Sequence, residues 1–314
     1  MRHSVTPDDL AASVMAVPPL ALMDDGQFSD AENGAVLNHL REGGVTTVLY
    51  GGNAMAQHWP VAVYGDWLDR LEVLASDDTW LLPSVGPDAG KMMDQAAVLK
   101  TRRYPVALLV PMGAPLTHEG MGAALRRFHA ECGVQLLVYI KTDGYIPAAL
   151  LDDLLAEGIV FGVKYAVPRQ PGEDDFYLRD IVAAVGAKRV ISGFGEPPAI
   201  DHMLNQGLAG FTAGCVCIAP RLSMSLLEAL KRGDRAEATR LLSPMQPLED
   251  LRSAHGEIRV LHDALALSGL ARTGPILPPM SHVDSACREA LIRAAGDLLA
   301  AEMDDRAVMA EAKA

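Results

Sequence analysis

Val134-Gln-Leu-Leu-Val-Tyr-Ile140, a helical stretch over Ile146–Glu157, and Ile159-Val-Phe-Gly-Val-Lys164 follow one another in the middle of this 314-residue chain. The two apolar runs are too short for helices and too continuously apolar for strands wet on one side, so each reads as a strand buried on both faces. The segment between them is too long for a hairpin and amphipathic, as a crossover connecting parallel strands must be. Outward from this βαβ unit the alternation continues in both directions. Further apolar runs lie at Val14–Leu22, Val45–Tyr50, Trp80–Val85, Val106–Pro111, Arg189–Ser192 and Leu208–Ala213, giving eight in all. Eight strands with helices between them predict an α/β fold, a (β/α)8 TIM barrel; an open doubly wound sheet is the competing arrangement.

The remaining helical stretches carry the same signals. Asp30–Glu42 sets Val36, Leu37 and Leu40 on one side and stops at Gly43-Gly44, a C-terminal cap pattern. Asp66–Ala75, Thr117–Cys132 and Asp174–Val185 repeat it. From about Arg221 the pattern is helical only, over Ser225–Arg232, Arg235–Leu242, Pro247–Leu267 and Asp284–Glu302, with a Pro-rich break at Gly274–Pro279. The expected organisation is a barrel over 8–232, a C-terminal helical appendage over 233–304 and a frayed polar tail over 305–314.

Composition narrows the function. With 27 basic against 40 acidic residues the net charge is −13, and no Lys/Arg-rich block offers a nucleic-acid groove. Half the residues are apolar, enough for a large core. No run approaches the length of a membrane span. The N-terminus shows no apolar signal segment, so the expected location is cytoplasmic, with neither nucleic acid nor membrane as partner. Four scattered cysteines argue against a disulfide scaffold. Cys215-Val-Cys217 is not a redox or zinc spacing; on a strand both thiols would share one face.

In a parallel barrel the chemistry gathers where strands end at their C-terminal side. The polar residues closing the apolar runs are Asn53, Ser84, Tyr139 with Lys141, Lys164, Ser192 and Thr212. Lys164 stands apart among seven lysines, because it ends a run that must otherwise be buried. Burying an ammonium costs several kcal/mol, so either its pKa falls or a carboxylate pairs with it. A neutral buried amine is a nucleophile suited to a carbonyl, forming a Schiff base; a paired lysine at a strand end is the alternative. Tyr139, at the end of the neighbouring strand, is placed to move protons during imine formation, or is an ordinary core tyrosine with a satisfied hydroxyl.

An ordered set of short motifs resembles one family across nearly the whole chain. Ala16-Val-Pro-Pro-Leu, Gly44-Val-Thr-Thr-Val-Leu-Tyr-Gly-Gly-Asn, Val138-Tyr139, Ile159-Val-Phe-Gly-Val-Lys164, Ser192-Gly193 and Ile218-Ala-Pro-Arg221 are similar to those of the dihydrodipicolinate synthase/N-acetylneuraminate lyase family. Gly269-Leu-Ala-Arg-Thr-Gly and Leu277-Pro-Pro-Met fit its helical tail. The resemblance implies a (β/α)8 barrel with C-terminal helices, usually a homotetramer; here a homo-oligomer, tetramer or dimer, is expected. It implies that Lys164 condenses with pyruvate or another 2-oxo acid and that Tyr139 assists. The protonated imine then serves as electron sink, so no cofactor or metal is called for.

Departures from the family pattern mark this chain as divergent. The family often reads Gly-Thr-Thr-Gly-Glu or Gly-Ser-Ser-Gly-Glu after the second strand, where amides and a hydroxyl hold the 2-oxo acid carboxylate. This chain has Gly51-Gly52-Asn53-Ala54-Met55-Ala56. Backbone amides of Asn53 and Ala54, with Gly52, still suit a carboxylate, since amides do not depend on side chains. Met112-Gly113 stands where the synthases carry a pair of tyrosines, and Ile140–Ile146 lacks their arginine, leaving Lys141 as the only cation there. These differences argue against true dihydrodipicolinate synthase activity.

The expectation is therefore a Schiff-base-forming lyase, aldolase or dehydratase, acting on a small 2-oxo acid or sugar-acid derivative. Lys164 and Tyr139 are catalytic; Gly52, Asn53 and Ala54 hold the carboxylate, and Gly193 and Thr212 shape the far wall. The alternative is a non-catalytic barrel that binds a 2-oxo acid as sensor or scaffold after losing its proton relay. His58-Trp59 is a candidate for the pocket mouth. His118-Glu119 reads as a helix start, because a zinc helix would need a second histidine.

Overall fold

The computed structural model describes residues 1–170 and 172–311. Nine short strands carry the barrel: β1 (Met15–Ala16), β2 (Thr47–Leu49), β3 (Trp80–Leu82), β4 (Ser84–Val85), β5 (Val106–Leu109), β6 (Gln135–Ile140), β7 (Val160–Tyr165), β8 (Val190–Ser192) and β9 (Gly210–Ala213). Their order is β3-β2-β1-β9-β8-β7-β6-β5-β4, every pairing parallel. β3 and β4 are two pieces of one extended run, interrupted at Pro83, which has no N–H for the ladder; its carbonyl still accepts from Leu108 at 2.8 Å. Counted as staves, the barrel has eight, with its outer two joined through that run. The (β/α)8 reading holds and the open sheet does not.

Helices α1 (Asp30–Glu42), α2 (Val61–Leu74), α3 (Ala89–Leu99), α4 (His118–Cys132), α5 (Ala148–Ala156), α6 (Phe176–Val185), α7 (Ala199–Gln206) and α8 (Pro220–Lys231) coat the strands. Side-chain alternation splits the core in two. An inner cluster of Met15, Leu49, Trp80, Leu82, Val106, Leu108, Leu137, Phe161 and Ile191 fills the barrel. An outer cluster, including Val48, Leu81, Ala107, Leu109, Leu136, Val138 and Val190, packs under the helices.

One irregularity interrupts that alternation. Leu136 pairs with Val160, but the next residue, Leu137, pairs with Gly162, so Phe161 is an extra residue in β7. The one-residue slip reverses which later side chains face inward. Beyond it Tyr139 pairs with Lys164, whereas unbroken pairing would set Tyr139 against Val163 and send Lys164 outward among the helices. Two contacts hold the bulge. Arg189 Nη1 donates to the Phe161 carbonyl at 2.8 Å, and a Cβ at Gly162 would lie 2.5 Å from the Arg189 carbonyl oxygen.

After α8 come α9 (Arg235–Leu242), α10 (Gln246–His255), α11 (Glu257–Leu267) and α12 (Ser285–Glu311). The fully buried Glu302 of α12 accepts from the backbone N–H of Arg221 and Leu222 at 3.0 and 2.9 Å. Its carboxylate thus satisfies two of the donors left open at the start of α8. Among the described residues no helix is long and apolar enough to cross a membrane.

Several local expectations are corrected. The run Val14–Leu22 yields only a two-residue strand, because Pro18-Pro19 removes consecutive donors; beyond it Ala21 pairs through both backbone groups with the Asn33 side chain. The α3 and α7 helices were not anticipated from sequence. Pro247–Leu267 is two helices, broken at Gly256 with φ +99°. Cys215 and Cys217 lie in a 3-10 turn rather than a strand, both buried and unpaired. The last helix continues to Glu311 where a frayed end was expected from 305, and 312–314 of that tail lie outside the described residues.

Candidate active site

A cavity of about 400 Å³ opens at the C-terminal ends of the strands, the end where parallel barrels carry their chemistry. Of the strand-end polar residues, Asn53, Tyr139, Lys141, Lys164 and Thr212 line it, together with Gly52 and Gly193. Ser84 and Ser192 do not. Ser84 Oγ donates to the Tyr50 carbonyl at 2.8 Å, and Ser192 Oγ meets His202 Nδ1 of α7 at 2.8 Å in the outer layer.

Lys164 projects from β7 into this space and is 5% exposed. No carboxylate among the described residues forms an ion pair with it. Burial is the main cause that brings its pKa down to about 7; the charge of Lys141 adds to it, Glu257 opposes and Arg252 assists. An ordinary lysine near neutral pH is almost wholly ammonium, whereas this one is about half free amine. Its Nζ lies 4.2 Å from the centroid of the Tyr139 ring, and Lys141 Nζ lies 5.7 Å from the same centroid. The Tyr139 phenol is pushed up by burial, so it stays protonated.

Gly193 follows β8 and packs against the lysine stem. A Cβ there would come within 2.9 Å of the Ala166 Cβ and of the Tyr165 carbonyl oxygen, and within 3.1 Å of Lys164 Cε. Its N–H donates to that same carbonyl at 2.7 Å. Only a residue without a side chain lets the two strand ends close on the Lys164 chain.

The turn after β2 presents a different resource. Among the described residues, the backbone N–H groups of Gly52, Asn53 and Ala54 have no acceptor. The turn is fixed from behind: Met55 N–H donates to Gly52 O, Ala56 N–H to Gly51 O, and Trp59 Nε1 to Ala54 O at 2.7 Å. Met55 holds φ +53°, a left-handed conformation that costs a Cβ-bearing residue about 1–2 kcal/mol. The Asn53 amide donates to the Val17 carbonyl at 2.8 Å, so its side chain ties the turn to β1. Ala54 itself is buried and does not line the cavity. His58 and Trp59 do not line it either; Gln57 does.

The C-terminal helices complete the wall. Arg252 from α10 and Glu257 and Ile258 from the start of α11 line the cavity, as do Phe194, Gly195 and Gly214. Sequence reading missed these residues, because nothing local marks a helix 90 residues downstream as a lid over a strand end. The alternating α10–Gly256–α11 break was the one available signal.

Among the described residues, two groups of side chains bring metal-donor atoms within 4.8 Å of one another: His262, Asp263 and His282, and Glu196, Cys215 and Glu249. In the first, Asp263 is already engaged by His282 Nδ1 and the Val283 N–H, and His262 Nε2 by the Gly274 carbonyl. In the second, Arg252 is ion-paired to Glu249, supplying the cation from within. Lys164 belongs to neither.

Comparison with known proteins agrees with this architecture. A model of the Dihydrodipicolinate synthetase family matches residues 148–297, a stretch that includes Lys164. Dihydrodipicolinate synthase from Bacillus clausii superposes with a TM-score of 0.80 at 18% identity, covering 92% of this chain and 98% of that one. Sialic acid aldolase from Ruminococcus gnavus gives 0.80 at 14%, covering 94% and 99%. Dihydrodipicolinate synthase from Acinetobacter baumannii, solved in complex with pyruvate, gives 0.78 at 19%, covering 92% and 99%. No curated protein matches the sequence. Residues 148–297, just under half of the chain, are thus similar to the Dihydrodipicolinate synthetase family, and they are carried on a barrel of the same fold as these structures.

Proposed function

We propose that this protein is a Schiff-base-forming lyase, an aldolase or dehydratase acting on pyruvate or another small 2-oxo acid or sugar-acid derivative. The observation that carries the reading is Lys164: a buried amine with no carboxylate partner among the described residues, its pKa brought down to about 7, at the floor of a strand-end cavity.

In the reaction the Lys164 amine attacks the C2 carbonyl, forming a C–N bond and a carbinolamine. Loss of the former carbonyl oxygen as water gives a protonated imine, with Tyr139 supplying and recovering the protons. The iminium then accepts the electron pair released when a bond at the neighbouring carbon breaks, and hydrolysis returns free lysine. The unpartnered N–H groups of Gly52 and Asn53, which line the cavity, hold the carboxylate, as backbone nests hold anions; Ala54, off the cavity wall, is left out of this role. Gly193 keeps the lysine stem in place, and Thr212 lines the opposite wall. A homo-oligomeric, cytoplasmic enzyme is part of the same proposal.

A binding-only barrel is the second reading. It is favoured by one observation: the Tyr139 hydroxyl has no hydrogen-bond partner among the described residues, so no side-chain proton relay extends from it. The test is reduction with borohydride in the presence of pyruvate or longer 2-oxo acids, followed by peptide mass spectrometry. An adduct on Lys164 that is lost in Lys164→Ala supports the lyase. Reversible binding without any adduct across the panel would overturn it and leave the sensor.

A further inference from the structure

Arg252 is a charged side chain that sequence reading passed over, and it is built into the cavity wall. It is 6% exposed yet lines the same space as Lys164. Its Nη1 donates to Glu249, and its Nε contacts the Glu257 carbonyl at 3.4 Å; among the described residues its Nη2 has no acceptor. The fold clears room for it from two sides. A Cβ at Gly214, after β9, would lie 2.6 Å from the Arg252 Cζ. A Cβ at Gly195, after β8, would lie 3.1 Å from Glu249 Oε2, and Gly195 has φ +91°.

The charges around the guanidinium leave it only partly compensated. Glu249 is the one carboxylate bonded to it. Glu196, fully buried beside the same cluster, has one carboxylate oxygen bonded to the Val216 N–H at 3.2 Å and the other without a partner. Burial, then the charge of Glu249, pushes its pKa up and so weakens it as a counter-charge to Arg252. The cavity wall also carries Lys141, with Glu257 as the only acidic side chain lining it among the described residues. A guanidinium held rigid, with one edge unused in a small cavity of net positive wall, is suited to a planar anion.

We infer that Arg252 is a specificity-determining residue that receives a second carboxylate of the substrate, so that the protein acts on a 2-oxo acid, or an adduct of one, carrying two acidic groups. This rests on the proposed imine chemistry for where the 2-oxo end sits, but the carboxylate contact itself is an equilibrium binding property. Lys141, exposed and unpaired among the described residues, raises the local potential without the fixed geometry of Arg252.

The test separates the two ideas. Binding of 2-oxoglutarate against 2-oxohexanoate, and of 2-oxoadipate against 2-oxoheptanoate, is measured by calorimetry on the intact protein, with borohydride trapping of the same acids in parallel. The expected result is a preference of about tenfold or more for the dianion in at least one pair. That preference falls to near unity in the Arg252→Gln/Glu249→Gln double variant, which removes both partners of the buried pair rather than stranding one charge. If the double variant does not fold, the wild-type pairs still decide: equal affinities for dianion and monoanion at both lengths overturn the inference. A dianion preference without any trapped adduct leaves Arg252 in its role and removes the Schiff-base reading; trapping without the preference does the reverse.

Discussion

Lys164 faces Tyr139 because β7 contains one residue more than β6 requires. The extra residue, Phe161, turns inward to stack edge-on against Trp80 with ring centroids 5.6 Å apart. Everything beyond it is shifted by one, so the amine enters the barrel at 4.2 Å from the phenol ring. The pairing of Lys164 with Tyr139 is thus a product of strand register, and Gly162, two residues before the lysine, lies at the point where that register shifts.

Gly162→Ala should therefore damage the site from a distance. Its Cβ would meet the Arg189 carbonyl oxygen at 2.5 Å, a backbone atom that cannot swing aside as the neighbouring Leu10 side chain can. Overpacking of this kind costs about 1–3 kcal/mol. The expected outcome is a lower denaturant midpoint together with slower trapping of 2-oxo acid on Lys164. A variant that is destabilised but traps at the wild-type rate would show that the bulge does not aim the lysine.

The pH dependence of imine formation follows from the amine. With the Lys164 pKa brought down to about 7, its nucleophilic form rises with pH and levels off above that value. The rate of adduct formation at fixed, subsaturating 2-oxo acid should climb between pH 5.5 and pH 7 and flatten by about pH 8.5. Because Lys141 contributes to the lowering, Lys141→Gln should move the inflection upward. An inflection that stays above pH 9 in the wild type would mean that the buried amine is not the attacking group.

Tyr139→Phe tests the proton transfers. The phenol stays protonated to well above neutral pH because of its burial, so in the proposed reaction it would donate during loss of water from the carbinolamine. Removing it should slow adduct formation by about 10²–10⁴-fold, the usual span of general acid–base contributions. The adduct mass and its position on Lys164 should stay unchanged. A rate within a few-fold of wild type would assign the proton transfers to water in the cavity and make Tyr139 a wall residue.

How far the sequence announced all this differs from residue to residue. The barrel was legible because its strands are nearly unbroken apolar runs, and Lys164 was legible because a charge at the end of such a run contradicts its surroundings. The bulge was not. Nothing in Ile159-Val-Phe-Gly-Val-Lys164 says that Phe161 is unpaired, since both register choices leave the run apolar, and only pairing with β6 decides. Ser84 and Ser192 had the same local appearance as Thr212, yet parity turned Ser192 outward, and Ser84, in register with the inward Leu108, spends its hydroxyl on the Tyr50 carbonyl. Arg252 was hidden for another reason: it looks like an ordinary cation near the end of an amphipathic helix, and its burial arises from contacts with Gly195 and Gly214 far away in the chain. The α7 helix escaped notice because its eight residues, between Pro198 and Gly207, resemble a loop.

If Lys164 is kept for chemistry, the fold should be more stable without it. The sign follows from the protons. In the unfolded chain the lysine titrates at its ordinary value of 10.5, and in the folded protein at about 7. Between those two values the unfolded state binds more protons, so this group makes the wild type more stable as pH rises from 7 towards 10.5 and carries its full penalty below 7. Lys164→Met replaces the ammonium with an apolar chain of similar length and removes the penalty. At pH 6 the variant should exceed wild type by a few kcal/mol, an order-of-magnitude figure from the cost of burying a charge. The gap should narrow steadily above pH 7 and nearly vanish near pH 10.5. Denaturant melts of both proteins at pH 6, 8 and 10 measure it. A Lys164→Met variant less stable than wild type at pH 6 would show that the ammonium is favourably held in the fold, which the Schiff-base reading does not accommodate.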